Sequence, residues 1–119
     1  MDRVLITLSD NNKGRYISKG FSSAFKKLGF FVNERKIIDL NKDEIIKINP
    51  KIIFILWSDM TDKESVSEFF SSTNLKDSTF IHCAEQKKEI PDCFHTGNND
   101  FIFTAASENE KLRYVPAVN

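Results

Sequence analysis

The stretch Ile52-Ile-Phe-Ile-Leu-Trp57 decides the fold, because it is an unbroken apolar run. Such a run is typical of a central parallel strand that is covered on both faces. A second short run rich in β-formers, Val4 to Leu8, comes near the start of the chain and is followed at once by polar residues. Both runs are predicted to be strands, and the segments around them decide what kind of sheet the strands form.

The segments that connect the predicted strands have the patterns of helices. Apolar residues between Tyr16 and Leu28 recur at helical intervals, and Gly29 can cap the helix that they predict. Asn41-Lys-Asp-Glu44 and Thr61-Asp-Lys-Glu64 both have the spacing of a capping box, in which the first side chain accepts from a free amide and the Glu reaches back to another. A short helix through Ile48 and a third helix after Thr61 are therefore expected.

Four further segments are predicted to be strands: Phe30–Ile38, Thr79–Cys83, Phe101–Thr104 and Leu112–Val115. Strands that alternate with helices imply right-handed crossovers and a parallel sheet with helices on both faces. Residues 85–100 are rich in turn formers and are predicted to be a loop or a weak helical turn. The expected fold is α/β: one three-layer Rossmann-like domain over residues 1–119, with a mainly parallel sheet of five or six strands.

The amino-acid composition limits the classes of partner that the chain is expected to bind. Acidic and basic residues balance at 17 each, so the chain lacks the wide positive field that nucleic acid or an anionic membrane would select. The apolar runs are far shorter than the roughly 20 residues that span a bilayer, and the start has no signal-peptide pattern. We expect a cytoplasmic protein with no membrane span and no nucleic-acid partner, whose two cysteines are thiols.

Candidate ligand-binding residues follow the predicted strands. In an open parallel sheet, ligands bind outside the carboxyl ends of the strands, near the point where the strand order reverses. The residues expected to line that cleft lie at or just after the ends of the first, third and fourth predicted strands. They are Ser9, Asp10, Asn11, Asn12, Lys13, Gly14, Arg15, Trp57, Ser58, Asp59, His82 and Glu85.

The segment Ser9 to Arg15 leads from the first strand into the first helix. Free amides, the helix dipole and the cations Lys13 and Arg15 can meet a phosphate or another anionic group there. The chain has neither G-x-G-x-x-G nor a Walker pattern, and no cofactor is predicted. An ordinary polar turn is the alternative interpretation.

Asp59 comes just after the central strand, where a carboxylate can accept a phosphoryl group or hydrogen-bond a sugar hydroxyl. Together with Asp10 it is similar to the acidic site in the receiver domain of response regulators. In this chain, one acidic residue instead of a pair ends the first strand, and no lysine follows Phe101-Ile-Phe-Thr104. A helix-entry Asp is the alternative.

His82, Cys83, Cys93 and His95 are four residues whose side chains can bind zinc, but no C-x-x-C pair is present. Adjacent residues on a strand point to opposite faces, so His82 and Cys83 are not expected to share a metal or to form a nucleophile–base pair. No metal site is predicted, and a buried Cys and a hydrogen-bonded His are the simpler interpretation.

The order of segments resembles a known family. Val4-Leu-Ile-Thr-Leu-Ser-Asp-Asn-Asn12, Gly20-Phe-Ser-Ser-Ala-Phe-Lys-Lys-Leu-Gly29 and Asn49-Pro-Lys-Ile-Ile-Phe-Ile-Leu56 resemble the N-terminal half of GT-B glycosyltransferases, particularly the CgeB-type group. Asn99-Asp-Phe-Ile-Phe-Thr104 and Leu112-Arg-Tyr-Val-Pro116 look like the last strands of that half. The family's usual Asp after the Pro is Lys51 here.

The resemblance implies a function for one half of a two-domain enzyme. In this family the sugar-nucleotide site lies chiefly on a C-terminal domain, which would begin near Asn119. The resemblance therefore implies an acceptor-side domain that binds a saccharide acceptor, with Asp10 or Asp59 on its hydroxyls, and that is not catalytic alone. A C-terminal glycosyltransferase domain or a partner chain would supply the donor site. The alternative is a non-enzymatic Rossmann-like ligand-binding or protein-interaction module, with Lys13 and Arg15 as anion contacts.

Overall fold

Four parallel strands form the body of the sheet: β1 Arg3–Leu8, β2 Phe31–Lys36, β3 Ile52–Leu56 and β4 Thr79–Ala84. The computed structural model describes residues 2–9, 11–58, 60–75, 77–91, 101–105 and 114–116, with only the backbone for Lys13 and, Ile102 apart, for the last two ranges. In those ranges, β5 Phe101–Ala105 pairs in parallel with β4, and β6 Tyr114–Pro116 pairs antiparallel with β5. The order is β2-β1-β3-β4-β5-β6.

Three α-helices connect the strands within the described part of the chain: α1 Asn12–Lys27, α2 Lys42–Ile48 and α3 Lys63–Ser72. A 3-10 helix, Ile37–Asp39, follows β2, and another, Lys87–Glu89, follows β4. No helix in the described ranges is long and apolar enough to cross a membrane.

Both faces of the sheet are covered, because alternate residues on the strands point to opposite sides. The α1 face buries Val4, Ile6, Phe54, Leu56 and Cys83, and α1 packs on it through Ile17, Phe21 and Phe25. The other face buries Leu5, Ile53, Ile55, Phe80 and Ala84 against Ile45 and Ile48 of α2 and Val66 and Phe70 of α3. The prediction of an α/β domain with a mainly parallel sheet is confirmed, and the unbroken apolar run in β3 reflects burial on both faces.

Several element boundaries differ from the sequence-based expectations, three of them because of a cap or turn that apolar periodicity does not show. α1 begins at Asn12, four residues before the predicted start at Tyr16, because the Asn11 side chain caps it and its first turn is polar. α3 is capped by Asp62, whose Oδ1 accepts from the amide of Ser65 at 3.2 Å, where the capping-box spacing had indicated Thr61. The strand predicted to reach Ile38 ends at Lys36 and turns into the 3-10 helix.

The cap predicted at Asn41 is confirmed, because its Oδ1 accepts from the amide of Glu44 at 2.8 Å. Gly29 adopts φ +94°, the left-handed conformation expected just after a helix. The predicted loop after β4 contains the 3-10 helix Lys87–Glu89, and its part over residues 92–100 lies outside the described residues.

Candidate crevice at the carboxyl ends of β1 and β3

The strand order reverses between β1 and β3, because the chain continues from β1 to β2 on one side and returns to β3 on the other. β1 and β3 are paired only from Val4↔Ile52 to Ile6↔Phe54, two residues before either strand ends. By contrast, the pairing of β1 with β2 continues to Leu8, and that of β3 with β4 continues to Leu56. The two central strands therefore part at their carboxyl ends, where ligand sites of open parallel sheets lie.

A crevice of about 580 Å³ occupies this position, within the size range of small-molecule sites. Its walls come from the ends of β1 and β3, the 3-10 helix after β2 and the start of α3. The lining residues are Thr7, Leu8, Ser9, Asn11, Ile37, Ile38, Leu56, Ser58, Met60, Thr61, Asp62, Ser65 and Val66.

A larger cavity of about 840 Å³ lies at the opposite, amino ends of the strands, between Asp2, Lys47 and Ser78 among others. There the Arg3 guanidinium donates to the carbonyl oxygens of Lys47 and Ile48 at 3.4 and 3.3 Å, so its charge caps the last turn of α2. We take the smaller crevice as the candidate site, because ligands of doubly wound sheets bind at the carboxyl ends of the strands.

Side-chain hydroxyls bind the backbone where β1 and β3 part. Thr7 Oγ1 donates to the carbonyl oxygen of Phe54 at 2.9 Å, and Ser18 Oγ of α1 donates to the carbonyl oxygen of Thr7 at 3.1 Å. Ser58 Oγ accepts from the amide of Glu85 at 2.8 Å, which joins the ends of β3 and β4. The first bond joins β1 to β3, the second ties β1 to α1, and the third ties the end of β3 to that of β4, so together they hold the floor of the crevice in place.

The first turn of α1 lies against the same edge of the sheet. Asn11 Oδ1 accepts from the amide of Gly14 at 2.6 Å, and the Asn11 amide donates to Ser9 Oγ at 3.3 Å. A Cβ atom at Gly14 would stand 2.6 Å from Cβ of Ser9 and 3.0 Å from Cδ2 of Leu56. Glycine is therefore the residue that lets the helix start approach the strand ends this closely.

The predicted site residues that the structure describes do not all line the crevice. Ser9, Asn11 and Ser58 line the crevice. Gly14 is buried beneath it, while Asn12 is exposed, Arg15 is half-buried on α1, and neither is a lining residue. Glu85 is exposed, is not a lining residue, and its backbone amide donates to Ser58. Asp10, Asp59 and the side chain of Lys13 lie outside the described residues.

Trp57 and His82, predicted to line the cleft, are fully buried in the core on the α2 and α3 face. The indole Nε1 of Trp57 donates to Nδ1 of His82 at 2.9 Å. The ring of Phe80 lies parallel to the imidazole, with centroids 5.5 Å apart. Their contacts thus belong to the packing beneath the crevice, since Nε1 of the indole and Nδ1 of the imidazole are paired with each other in the core.

Cys83 points to the α1 face, opposite to His82, as the alternation of strand side chains predicts. Burial raises the pKa of the Cys83 thiol to about 12, so the thiol is protonated at neutral pH and is a poor nucleophile. Cys93 and His95, the other residues considered for zinc, lie outside the described residues.

Several lining residues were not anticipated from the sequence. Thr7 carried a signal, because it is the polar residue inside the apolar run of β1. Ile37 and Ile38 were assigned to a strand, and only the turn into the 3-10 helix brings them over the crevice. Met60 and Asp62 belong to the approach to α3, whose start was placed one residue early.

Comparisons of the chain with family models, with curated proteins and with solved structures gave no match, so the geometry of the crevice is the basis on which a function can be proposed.

Proposed function

We propose that this chain is a Rossmann-like ligand-binding domain, with a sheet of five or six strands, that serves as the acceptor-side domain of a CgeB-like glycosyltransferase. The observation that carries the proposal is the crevice between the parted ends of β1 and β3. The order of segments that resembles GT-B enzymes gives the crevice its role. A cytoplasmic location, expected from the sequence, belongs to the same proposal.

In this proposal the crevice holds a saccharide acceptor by hydrogen bonds. Ser9, Ser58 and Thr7 carry hydroxyls at its wall and floor, and hydroxyl groups can both donate to and accept from sugar hydroxyls. Asp10 and Asp59 stay predicted contacts to the acceptor. The donor site belongs to a C-terminal domain or a partner chain, so the chain by itself does not transfer a sugar.

A non-enzymatic binding module is the second candidate function. The observation that favours it is the position of His82, the residue type best suited to general base catalysis, in the core instead of the crevice. In this alternative the crevice still binds a small ligand. No second domain is then required, and no reaction follows.

A blocking variant tests the proposed site. Thr61 is exposed and lines the crevice, so Thr61→Trp fills the opening without changing the core. Ser71→Trp, on an exposed position of α3 that does not line the crevice, is the matched control. The ligands are methyl glycosides of glucose, galactose, mannose and N-acetylglucosamine, with binding measured by isothermal titration calorimetry.

We expect at least one methyl glycoside to bind, Thr61→Trp to weaken that binding at least about tenfold, and Ser71→Trp to leave it unchanged. The chain alone should release no sugar from a nucleotide sugar. Binding that Thr61→Trp leaves intact would place the site elsewhere, and the absence of binding by every glycoside would contradict the saccharide assignment.

A further inference from the structure

The described lining of the crevice carries a charge that disfavours anions. Among its described lining residues, Asp62 is the one ionised side chain, and its Oδ1 accepts from the amide of Ser65 at the start of α3. This carboxylate occupies the helix end at which an anionic ligand would otherwise bind. An anionic group in the crevice would therefore face a negative charge, and Arg15, one of the expected cations, is not among the lining residues.

One wall of the crevice is apolar and open to solvent. Ile37 and Met60 pack against the core below, while Ile38 is 84% exposed at the crevice and is the most exposed large apolar side chain in the described part of the chain. Covering an exposed isoleucine beside a cavity with an apolar group removes apolar surface from water and so favours binding. The wall is therefore suited to an apolar substituent on the ligand.

The floor presents hydroxyl groups to the same space. Thr7 Oγ1 uses its proton on the Phe54 carbonyl, so its lone pairs can accept from a ligand. Ser58 Oγ accepts from the Glu85 amide, so its own proton can be donated. Floor and wall together match a ligand with hydroxyls on one part and an apolar group on another.

We infer that the crevice binds an uncharged, hydroxyl-bearing ligand with an apolar substituent, its hydroxyls facing Thr7 and Ser58 and its substituent covering Ile38. The inference rests on the proposed function, since it takes the crevice as the ligand site, and it adds the substrate class: an acceptor with an apolar aglycone. It differs from the anionic ligand considered from the sequence, which stays an alternative prediction.

The test compares matched ligands and matched variants by isothermal titration calorimetry. The ligands are methyl and 4-nitrophenyl glycosides of glucose, galactose, mannose and N-acetylglucosamine, together with glucose 6-phosphate. The variants are Ile38→Ser and Ile46→Ser. Ile46 is an isoleucine of α2 that is 62% exposed and does not line the crevice, so it controls for the loss of an exposed apolar side chain.

We expect the 4-nitrophenyl glycoside to bind about tenfold more tightly than its methyl counterpart, Ile38→Ser to abolish that difference, and Ile46→Ser to preserve it. Glucose 6-phosphate should bind more weakly than the methyl glucoside. Equal binding of aryl and methyl glycosides, or a preference that survives Ile38→Ser, would overturn the inference and leave the proposed function standing. Tighter binding of the phosphate would overturn the uncharged class, and no binding by any glycoside would overturn both proposals.

Discussion

The Oγ1 of Thr7 donates to the carbonyl oxygen of Phe54 over 2.9 Å, next to the last residue pair that joins β1 to β3. A side-chain bond thus continues the link between the central strands for one more residue after their pairing ends. Beyond it the strands part and the crevice begins. The same threonine therefore connects the integrity of the sheet with the floor of the candidate site.

Replacing Thr7 tests both roles. Thr7→Val keeps the shape but removes the hydroxyl, so it should lower the free energy of unfolding by about 1–2 kcal/mol and weaken glycoside binding. Thr73→Val removes a similar bond, 2.8 Å to the carbonyl of Phe69, away from the crevice lining. We expect it to cost similar stability and to leave binding unchanged. Urea unfolding and calorimetry measure the two effects, and unaltered binding by Thr7→Val would argue against a hydroxyl contact at the floor.

Replacing two different glycines of α1 by alanine should change the stability of the chain in opposite directions. Gly14→Ala places a Cβ 2.6 Å from Cβ of Ser9, so the helix start must move, and we expect a loss of about 1–3 kcal/mol in stability. Gly20→Ala meets nothing within 4 Å and should stabilise the chain by about 0.5–1 kcal/mol through helix propensity. Denaturant unfolding measures both. A Gly14→Ala variant as stable as Gly20→Ala would show that the helix start is not confined by the strand ends.

The hydrogen bond between Trp57 and His82 predicts which tautomer the imidazole adopts. Because Nδ1 accepts from the indole at 2.9 Å, the proton of the neutral ring belongs on Nε2. Nitrogen-15 chemical shifts of His82 should report that tautomer at pH 7.5. Trp57→Phe removes the donor and leaves a gap, so it should cost about 2–4 kcal/mol of stability. A proton found on Nδ1 would contradict the bond.

The carboxyl group of Glu34 is expected to cause part of the pH dependence of stability. Burial by itself would raise the pKa of this carboxyl, which is 20% exposed, but Lys19 at 2.7 Å and Lys26 at 3.7 Å overcome that effect, so the pKa of Glu34 is lowered. A lowered folded-state pKa stabilises the chain above the unfolded-state pKa of about 4.3, and this contribution is lost as pH falls through the folded-state value.

Glu34→Gln should therefore reduce the decline of unfolding free energy below about pH 5, measured by urea unfolding at several pH values. Lys19→Met, which removes the closer partner of the carboxylate, should also make this decline smaller. A pH dependence equal to that of the unsubstituted chain in both variants would contradict the assignment of this acid sensitivity to Glu34.

Patterns in the sequence predicted the fold well where burial controls residue choice. Ile52–Trp57 must be apolar on both sides because helices cover both faces of β3, so the strand was located to within one residue. The start of α1 was placed too late because Asn12 and the polar residues after it carry no apolar period. Only the cap from Asn11 to Gly14 marks that start.

The candidate site was predictable only in part. The rule that ligands bind at the carboxyl ends of strands located Ser9, Asn11 and Ser58. It also selected Trp57 and His82, whose side chains turn into the core, because a bond between residues so distant in the chain leaves no local signal. The apolar wall at Ile38 was likewise hidden, since it depends on how the chain turns after β2.

The most direct test of the account is a map of backbone amide chemical shifts during titration with the methyl and 4-nitrophenyl glycosides. The account predicts saturable shifts concentrated at Thr7, Ser9, Ser58 and Asp62, with Ile38 responding to the aryl glycoside alone. Shifts concentrated at the amino ends of the strands, around Lys47 and Ser78, or no shifts with any glycoside, would contradict it.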